Sequence, residues 1–171
     1  LAGILCAYKL SQKNIDYILV EADKIFNGVS ANTTAKITSQ HSLIYSKIIK
    51  EFNTETARKY LEINEWAVKE YRRLCQDIDC DFENKNSFVY SLDDIDVLKE
   101  ELLALKSIGY KAEFCKQTEL PLEVKGAIKF RNQAQFNPVK FISALSTGLN
   151  IFENTKVWEY DGTSFLTDYA K

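Results

Sequence analysis

The 171-residue sequence contains no methionine, one histidine, two prolines and no apolar run near the roughly 18 residues that a membrane-spanning helix needs. We therefore expect no integral membrane segment. The single histidine cannot supply the histidine pair of a Cys₂His₂ zinc site. The formal net charge is −2 with lysine and glutamate interspersed, so we expect no nucleic-acid partner. By contrast, the 46% of hydrophobic residues, with ten phenylalanines and nine tyrosines, indicate a folded globular protein.

Cysteine is present at only four positions. Cys75 and Cys80 are separated by four residues, whereas Cys6 and Cys115 lie far from them in the sequence. This spacing lacks the C-x-x-C pairs of zinc sites, although two disulfides or a metal site remain alternatives. We favour reduced, mostly buried thiols, which are typical of a cytoplasmic protein.

The first 21 residues predict a helix followed by a buried parallel strand. Residues 1–11 have helical periodicity, with Gly3 and Ala7 four positions apart, and such small residues let a helix approach a sheet closely. Residues 17–20 form an apolar run that ends at Glu21. The order of these elements predicts the second half of a βαβ unit. The polar stretch that follows, residues 26–42, is long enough to suggest that it binds something.

The rest of the chain mixes helical and strand patterns. An S-x-x-D signal begins at Ser91, Asn137 precedes a proline at a predicted helix start, and Asp161-Gly162 predicts a two-residue type I′ hairpin turn. The positions of Trp66 and Trp158 in these patterns predict that both side chains pack inside the protein. The predicted helices are residues 43–52, 54–78, a segment stopped by Gly109, and 139–149; the predicted strands are 86–91, 110–115, 124–130, 156–160 and 163–167.

One glycine and one glutamate have the spacing of a dinucleotide-binding βαβ unit. In that motif a third glycine packs the helix against the sheet, and an acidic residue about 20 positions later binds the ribose. Gly3 and Glu21 are 18 positions apart and fit these two roles. The alternative from these residues alone is a helix with one tolerated glycine and a strand-terminal glutamate that faces solvent.

Three segments resemble the FAD-dependent oxidoreductases of the D-amino acid oxidase, glycine oxidase and sarcosine oxidase type. They are "LAGILCAYKL…YILVEADKIFNGVSANTTAKITSQHS", "QAQFNPVKFISAL" and "GLNIFENTKVWEYDG". The resemblance implies an α/β fold: a partial Rossmann-like, glutathione-reductase-like FAD-binding domain with an inserted helix-rich α+β substrate-side region. The implied ranges are 1–42 and 136–171 for the FAD-binding parts and 43–135 for the insertion.

The resemblance also implies roles for individual residues. Glu21 would bind the adenosine ribose, Ala22 would lie beside the adenine, and the backbone of Val157 would contact the adenine. His41, Gln133 and Gln135 are substrate-side candidates, and no catalytic acid, base or nucleophile is assigned. The segment that would pass the pyrophosphate and the isoalloxazine edge consists of Ser30, Thr33, Thr34, Ala35, Lys36 and Ile37.

The implied activity is oxidation of a C–N bond in an amino acid or secondary amine, by hydride transfer to flavin. Some relatives carry a C-terminal Rieske 2Fe–2S module. The first two glycines of the motif and the C-terminal flavin segment are not in the sequence, so we expect an inactive fragment that holds FAD weakly or not at all. Two alternatives remain: an NAD-binding dehydrogenase, and a non-enzymatic helical interaction domain built on residues 41–110.

Overall fold

The structure is a computed structural model that describes residues 1–119 and 121–169. Leu120, Ala170 and Lys171, which fall within the predicted domain ranges, lie outside the described residues. In chain order the elements are α1 (Ala2–Ser11), β1 (Leu19–Val20), a 3-10 turn (Val29–Asn32), β2 (Lys36–Ile37), α2 (Ile44–Glu51), α3 (Thr54–Leu74), β3 (Glu83–Ser91), α4 (Asp96–Ser107), β4 (Glu113–Cys115), β5 (Gly126–Gln135), α5 (Pro138–Ser146), β6 (Ile151–Phe152), β7 (Val157–Tyr160) and β8 (Phe165–Thr167).

The chain divides into two compact units. The first contains Leu1–Ala35, Ile78–Asp81 and Phe136–Lys171, and the second contains Lys36–Asp77 and Phe82–Gln135. The architecture is mixed α/β, as the sequence predicts. Each unit is described in turn.

In the first unit, β1 and β6 form a parallel pair in which Leu19 is opposite Ile151. The strand before Glu21 is shorter than predicted, because the backbone carbonyl and the hydroxyl of Tyr17 form hydrogen bonds to Asn150 and not to a neighbouring strand. Its carbonyl accepts from Asn150 Nδ2 at 3.1 Å, and its hydroxyl accepts from the Asn150 N–H at 3.3 Å. The pair β1–β6 therefore consists of two residues on each side.

The start of α5 is set locally, as predicted. Asn137 Oδ1 accepts hydrogen bonds from the backbone N–H groups of Val139, at 3.1 Å, and Lys140, at 3.2 Å, and Pro138 occupies the first turn. Asp81 is tied to the same turn, because its carboxylate accepts from Lys140 Nζ at 2.6 Å. This contact holds the short segment Ile78–Asp81 against α5.

The hairpin β7–β8 is present, but its loop is not the predicted two-residue turn. Tyr160 pairs with Phe165, which leaves a four-residue loop. Asp161 Oδ1 accepts from the N–H of Ser164 at 2.7 Å and so closes that loop with its side chain. Trp158 is 57% exposed rather than a packing residue, and Lys156 Nζ lies 3.8 Å from the centre of its ring.

The second unit is an antiparallel sheet covered on one face by three helices. Strand β5 pairs along its length with β3, and its other neighbours are β2 and β4. The core residues lie where α2, α3 and α4 meet the sheet, and they include Tyr45, Leu61, Leu98, Leu105, Ile128 and Phe130. Trp66 on α3 was predicted to pack, but it is 62% exposed.

Two helix ends in the second unit differ from prediction. Helix α3 ends at Leu74 instead of continuing to residue 78. Ser91 Oγ does accept from the N–H of Asp94 at 3.1 Å, but α4 begins only at Asp96, whose N–H bonds to Asp94 Oδ1 at 2.7 Å. The serine therefore closes a turn that precedes the helix.

Three further observations bear on the broad class of the protein. All four cysteines are free thiols. Across residues 1–119 and 121–169, no helix has the length and apolar character needed to cross a bilayer. Over the same ranges, no group of three or more His, Cys, Asp and Glu side chains is placed to hold a metal ion.

Candidate functional site

A cavity of about 240 Å³ lies in the first unit, where the N-terminus of α1 meets the end of β1. Gly3, Glu21 and Ser30 all line it, so the structure brings three of the predicted cofactor residues together. Leu19, Asp23 and Gly28 complete this part of the wall. We refer to it as the α1–β1 cavity.

Gly3 allows the helix to approach the strand at this cavity. A Cβ atom placed on Gly3 would lie 3.1 Å from Leu19 Cδ1, which is closer than side chains ordinarily pack. The sequence therefore meets the requirement for close helix-to-sheet packing that the third glycine of a dinucleotide-binding turn fulfils. A larger residue would push the helix away from the strand.

Glu21 is fixed by its backbone at the end of β1. Its N–H donates to the carbonyl of Phe152 at 2.9 Å, and its carbonyl accepts from the N–H of Thr155 at 2.8 Å. Its carboxylate accepts from the N–H of Asp23 at 3.1 Å. A carboxylate held in this way beside a cavity can accept hydrogen bonds from the hydroxyls of a ribose.

The other predicted cofactor residues of the first unit lie outside the wall of the α1–β1 cavity. Ala22, Thr33 and Thr34 are exposed, whereas Ala35 is buried, and its N–H donates to Thr33 Oγ1 at 3.3 Å. Val157, on β7, lines a separate apolar cavity of about 570 Å³ in the same unit.

Lys36 and Ile37 form β2 in the second unit, where they pair with Gln135 and Ala134. Beside this pairing is a polar cavity of about 480 Å³. Lys36, Gln133 and Gln135 line it, so two of the three substrate-side candidates share one cavity with a predicted cofactor residue. The remaining wall includes Thr38, Lys85, Ser87, Phe88, Tyr90 and Glu119.

Gln133 is only 2% exposed, and its amide is engaged with the protein. Its Oε1 accepts from the N–H of Ser39 at 2.7 Å, and its Nε2 donates to the carbonyl of Arg131 at 3.0 Å. Gln135 is less buried. Of the two glutamines, Gln135 is therefore the better placed to contact a ligand, and Gln133 holds the wall of the cavity.

His41 is exposed and does not line the polar cavity. Its Nδ1 lies 2.7 Å from the hydroxyl of Tyr60 on α3. The ring centres of the two side chains are 5.9 Å apart in an edge-to-face arrangement. His41 therefore connects the polar stretch of residues 26–42 to α3.

The sequence analysis missed a buried polar network centred on Ser39. This serine is fully buried, its Oγ hydrogen-bonds to the carboxylate of Glu65, and its carbonyl accepts from Tyr45 Oη at 2.6 Å. Burial raises the pKa of Tyr45 far above its usual value, with Tyr60 and Glu65 adding to the effect. The Tyr45 hydroxyl therefore remains a proton donor at physiological pH.

Tyr110 behaves in the same way. Burial, followed by the nearby charge of Glu65, raises its pKa to about 12. The sequence signal for this network is faint, because Ser39 lies in a polar stretch without periodicity and its partners are 6, 26 and 94 positions away.

The α1–β1 cavity fits the adenosine end of FAD. Close helix-to-strand packing at Gly3, a positioned carboxylate at Glu21 and the small residues after Phe26 are the features that such a nucleotide requires.

Comparisons with known proteins agree with this fit. The family model described as FAD dependent oxidoreductase, DAO, matches residues 1–167. The chain is 33% identical over 164 residues to the Bacillus subtilis (strain 168) protein named "Putative Rieske 2Fe-2S iron-sulfur protein YhfW", covering 91% of this chain and 32% of that protein. The chain thus spans about a third of the length of this curated relative.

Solved structures show the same fold. Glycine oxidase from Geobacillus kaustophilus superposes with a TM-score of 0.66 at 18% identity, covering 99% of this chain and 49% of that one. L-Proline dehydrogenase from P. horikoshii superposes with a TM-score of 0.75 at 14% identity, covering 98% and 46%. The predicted fold class, α/β with a partial Rossmann-like FAD-binding domain, is confirmed. The match over residues 1–167 shows that this chain belongs to the family of FAD-dependent oxidoreductases.

Proposed function

We propose that this chain is part of a flavoenzyme that oxidises a C–N bond of an amino acid or a secondary amine. The observation that carries the proposal is the α1–β1 cavity, which joins Gly3 and Glu21 in a chain of this family. Three structural neighbours support the substrate class, since their names are glycine oxidase, L-proline dehydrogenase and L-amino acid deaminase. When bound, FAD supplies the acceptor for the hydride that leaves the substrate.

In this proposal, residues of the two flavin-binding ranges hold the cofactor. Glu21 accepts hydrogen bonds from the ribose, Ala22 and the backbone of Val157 adjoin the adenine, and Ser30 faces the phosphates. The segment Thr33–Ile37 continues from the phosphates to the flavin ring, where the charge of Lys36 favours an anion. Residues 1–42 and 136–171 then form the flavin-binding parts, and residues 43–135 form the inserted substrate side.

The polar cavity of the second unit contributes to the substrate side. Its wall includes Lys36, Gln135, Phe88 and Tyr90, together with the charged residues Lys85 and Glu119. An ammonium group attracts the carboxylate of an amino acid, and an amide accepts from or donates to either end of it. This chain supplies orientation and charge, because hydride transfer to a flavin requires no nucleophile from the protein.

The name of the Bacillus subtilis relative supports a second part of the proposal, that the whole protein also carries a Rieske 2Fe–2S centre. Such a centre would supply one-electron transfer in a protein that also holds flavin. We assign no ligand of such a centre to residues 1–119 or 121–169, where no suitable cluster of side chains is present.

A cofactor titration tests the nucleotide site. The full-length protein that contains this chain is titrated with FAD, and binding is followed by the visible spectrum of the flavin and by the midpoint of thermal unfolding. We expect Glu21→Gln to weaken binding at least about tenfold, which corresponds to ~1.4 kcal/mol. Glu123→Gln, an exposed substitution in the second unit, is the matched control and should leave binding unchanged.

Three outcomes would contradict the proposed FAD site. Equal loss of affinity in both variants would show that Glu21 does not contact the nucleotide. Stabilisation by NAD but not by FAD would favour the dehydrogenase alternative, and stabilisation by neither would favour the helical interaction domain.

The substrate class is tested separately with FAD-loaded protein under anaerobic conditions. Loss of the oxidised-flavin spectrum on addition of glycine, sarcosine, proline or other amino acids identifies the reductant. A Lys36→Gln variant should reduce more slowly with carboxylate-bearing amines than the parent protein. Its rate with an amine that lacks a carboxylate should change much less.

A further inference from the structure

An open groove on the second unit lies between α4 and β4, away from the residues assigned to cofactor or substrate. Its volume is about 770 Å³. The wall combines apolar side chains with three lysines and includes Lys99, Leu102, Leu103, Lys106, Lys111 and Phe114. We name it the α4–β4 groove.

The apolar part of the groove is built into the fold. Phe114 is 40% exposed, and its ring lies over Gly126 so closely that a Cβ atom at Gly126 would be 2.5 Å from Phe114 Cζ. Gly126 therefore leaves the space that the Phe114 ring occupies. Leu103, on the facing surface of α4, is 68% exposed. Large exposed apolar side chains that share a concave surface are typical of a binding site.

The charge of the groove is positive, and of its three lysines only Lys99 has an ion-pair partner among the described residues. No carboxylate is found among its described lining residues. Of the acidic residues next to it in sequence, Glu100 pairs with Lys50 at 2.5 Å, and Glu113 pairs with Arg131. Asp96 pairs with Lys99 at 2.8 Å, and the carboxylate of Glu101 accepts from the N–H groups of Tyr45 and Ser46.

Lys106 and Lys111 therefore present unpaired ammonium groups at the rim of the groove. Neither has a carboxylate within ion-pairing distance among residues 1–119 and 121–169. A complementary partner must bring negative charge to the edges of the groove and apolar side chains to its centre.

The lysines and the exposed leucine of α4 share one stripe along the helix, which an elongated partner can follow. Lys99, Leu103 and Lys106 lie at positions i, i+4 and i+7, so they form one stripe along the surface of the helix. A small ligand is disfavoured because small-molecule sites enclose most of their ligand, and Leu103 and Phe114 remain too exposed for that. We propose that the α4–β4 groove binds an acidic amphipathic helix of a partner protein.

The binding mode is a helix laid into a groove. Leucine-like side chains at i, i+3, i+4 and i+7 of the partner contact Leu102, Leu103 and Phe114. Glutamates or aspartates that flank those anchors lie opposite Lys106 and Lys111. Such contacts depend on salt, because exposed charge pairs are screened at a distance of about 8 Å at physiological ionic strength.

The test uses the full chain and two synthetic helical peptides. The acidic peptide has leucines at i, i+3, i+4 and i+7 and glutamates on its other faces; the control peptide has lysines in place of the glutamates. Fluorescence anisotropy of each labelled peptide is measured with increasing protein. We expect saturable binding of the acidic peptide that weakens with added salt, and no saturable binding of the control peptide.

Variants locate the site. The double substitution Lys106→Glu with Lys111→Glu should lower the affinity for the acidic peptide at least about tenfold, which is ~1.4 kcal/mol. Leu103→Ser should weaken it as well, and this variant leaves the charge unchanged. The control double substitution, Lys116→Glu with Lys125→Glu, changes two exposed lysines outside the groove by the same charge. It should bind like the parent protein.

Several results would overturn the proposal. They are no saturable binding of the acidic peptide, equal effects of the two double substitutions, or loss of binding by the charge variants but not by Leu103→Ser. Sedimentation of the protein with phosphatidylserine vesicles, abolished by Lys106→Glu, would assign the groove to a membrane surface instead. Concentration-dependent self-association abolished by the same substitution would assign it to a second copy of this chain.

Discussion

The backbone N–H of Ser39 donates a hydrogen bond of 2.7 Å to Oε1 of Gln133, across 94 positions of sequence. Ser39 is fully buried, and its remaining polar atoms bond to Glu65 on α3 and to Tyr45 on α2. One residue thus connects β5 and two helices. It stands two positions after Ile37, the last residue of the segment that we assign to the flavin.

Removing Gln133 should destabilise the protein. Gln133→Ala leaves the N–H of Ser39 and the carbonyl of Arg131 without their partner, and a buried unsatisfied group costs about 1–3 kcal/mol. Urea unfolding should therefore give a lower free energy of unfolding by this amount. Gln135→Ala is the control, because Gln135 is less buried, and it should change stability by less than about 0.5 kcal/mol. Similar losses in both variants would contradict the role given to the network.

Glu101 should be important for a different reason. This glutamate of α4 is 2% exposed, and its two oxygens accept from the N–H groups of Tyr45, at 2.9 Å, and Ser46, at 2.7 Å, at the start of α2. Helix N-termini leave such donors unpaired, and a carboxylate there is favoured by the helix dipole. Glu101→Ala should lower the free energy of unfolding by about 1.5–3 kcal/mol, because it removes hydrogen bonds to a charged group.

The neighbouring Glu100 supplies the control for this substitution. It forms an ion pair with Lys50 at a distance of 2.5 Å, but both side chains are substantially exposed. Glu100→Ala should therefore cost no more than about 1 kcal/mol. If chemical denaturation gave equal decreases in the free energy of unfolding for the two alanine variants, the buried cap would contribute no more than the exposed ion pair.

These two sites show where sequence reasoning stops. The start of α5 at Asn137 and Pro138 could be predicted, because a helix N-cap depends on the next three residues. The N-terminus of α2 could not, because its cap comes from Glu101, which lies 56 positions after Tyr45. Periodicity identifies elements, but a partner brought in by tertiary folding leaves no local pattern.

The hairpin gives the intermediate case. Asp161-Gly162 correctly marks the position of a turn, and Gly162 has a φ of 95° that favours glycine. The loop length was wrong, because the Asp161 side chain bonds to the N–H groups of Thr163 and Ser164 and so holds a four-residue loop. In the candidate site, Gly3 and Glu21 line one cavity and their roles toward a cofactor stay predictions, whereas Ser39 belongs to no motif.

Gly3→Ala should affect both packing and the cofactor. A Cβ at residue 3 would be 3.1 Å from Leu19 Cδ1, so the Leu19 side chain must shift by a few tenths of an ångström. Overpacking typically costs about 1–3 kcal/mol, and the higher helix propensity of alanine offsets up to about 1 kcal/mol of this cost. Gly28→Ala is the matched control, since it lines the same cavity but a Cβ there would have no atom within 4 Å. Thermal unfolding with and without FAD should show a lower midpoint, and a smaller shift on FAD addition, for Gly3→Ala only. A Gly28→Ala variant that behaved like Gly3→Ala would refute the packing argument.

The last prediction concerns acid unfolding of the first unit. The hydrogen bond from Lys140, together with that from Asn137, holds the pKa of Asp81 below its usual value. A carboxylate whose pKa is lower in the folded state contributes stability above its unfolded pKa of about 3.9, and this contribution is lost as the pH falls through the folded pKa. The free energy of unfolding should therefore fall in acid more steeply for the parent protein than for Asp81→Asn. Lys140→Gln removes the larger cause and should shrink the difference, whereas Lys99→Gln, which breaks an exposed pair on α4, should leave it intact. Parallel acid profiles for the parent and Asp81→Asn would show that the contact between Asp81 and Lys140 does not contribute to folding.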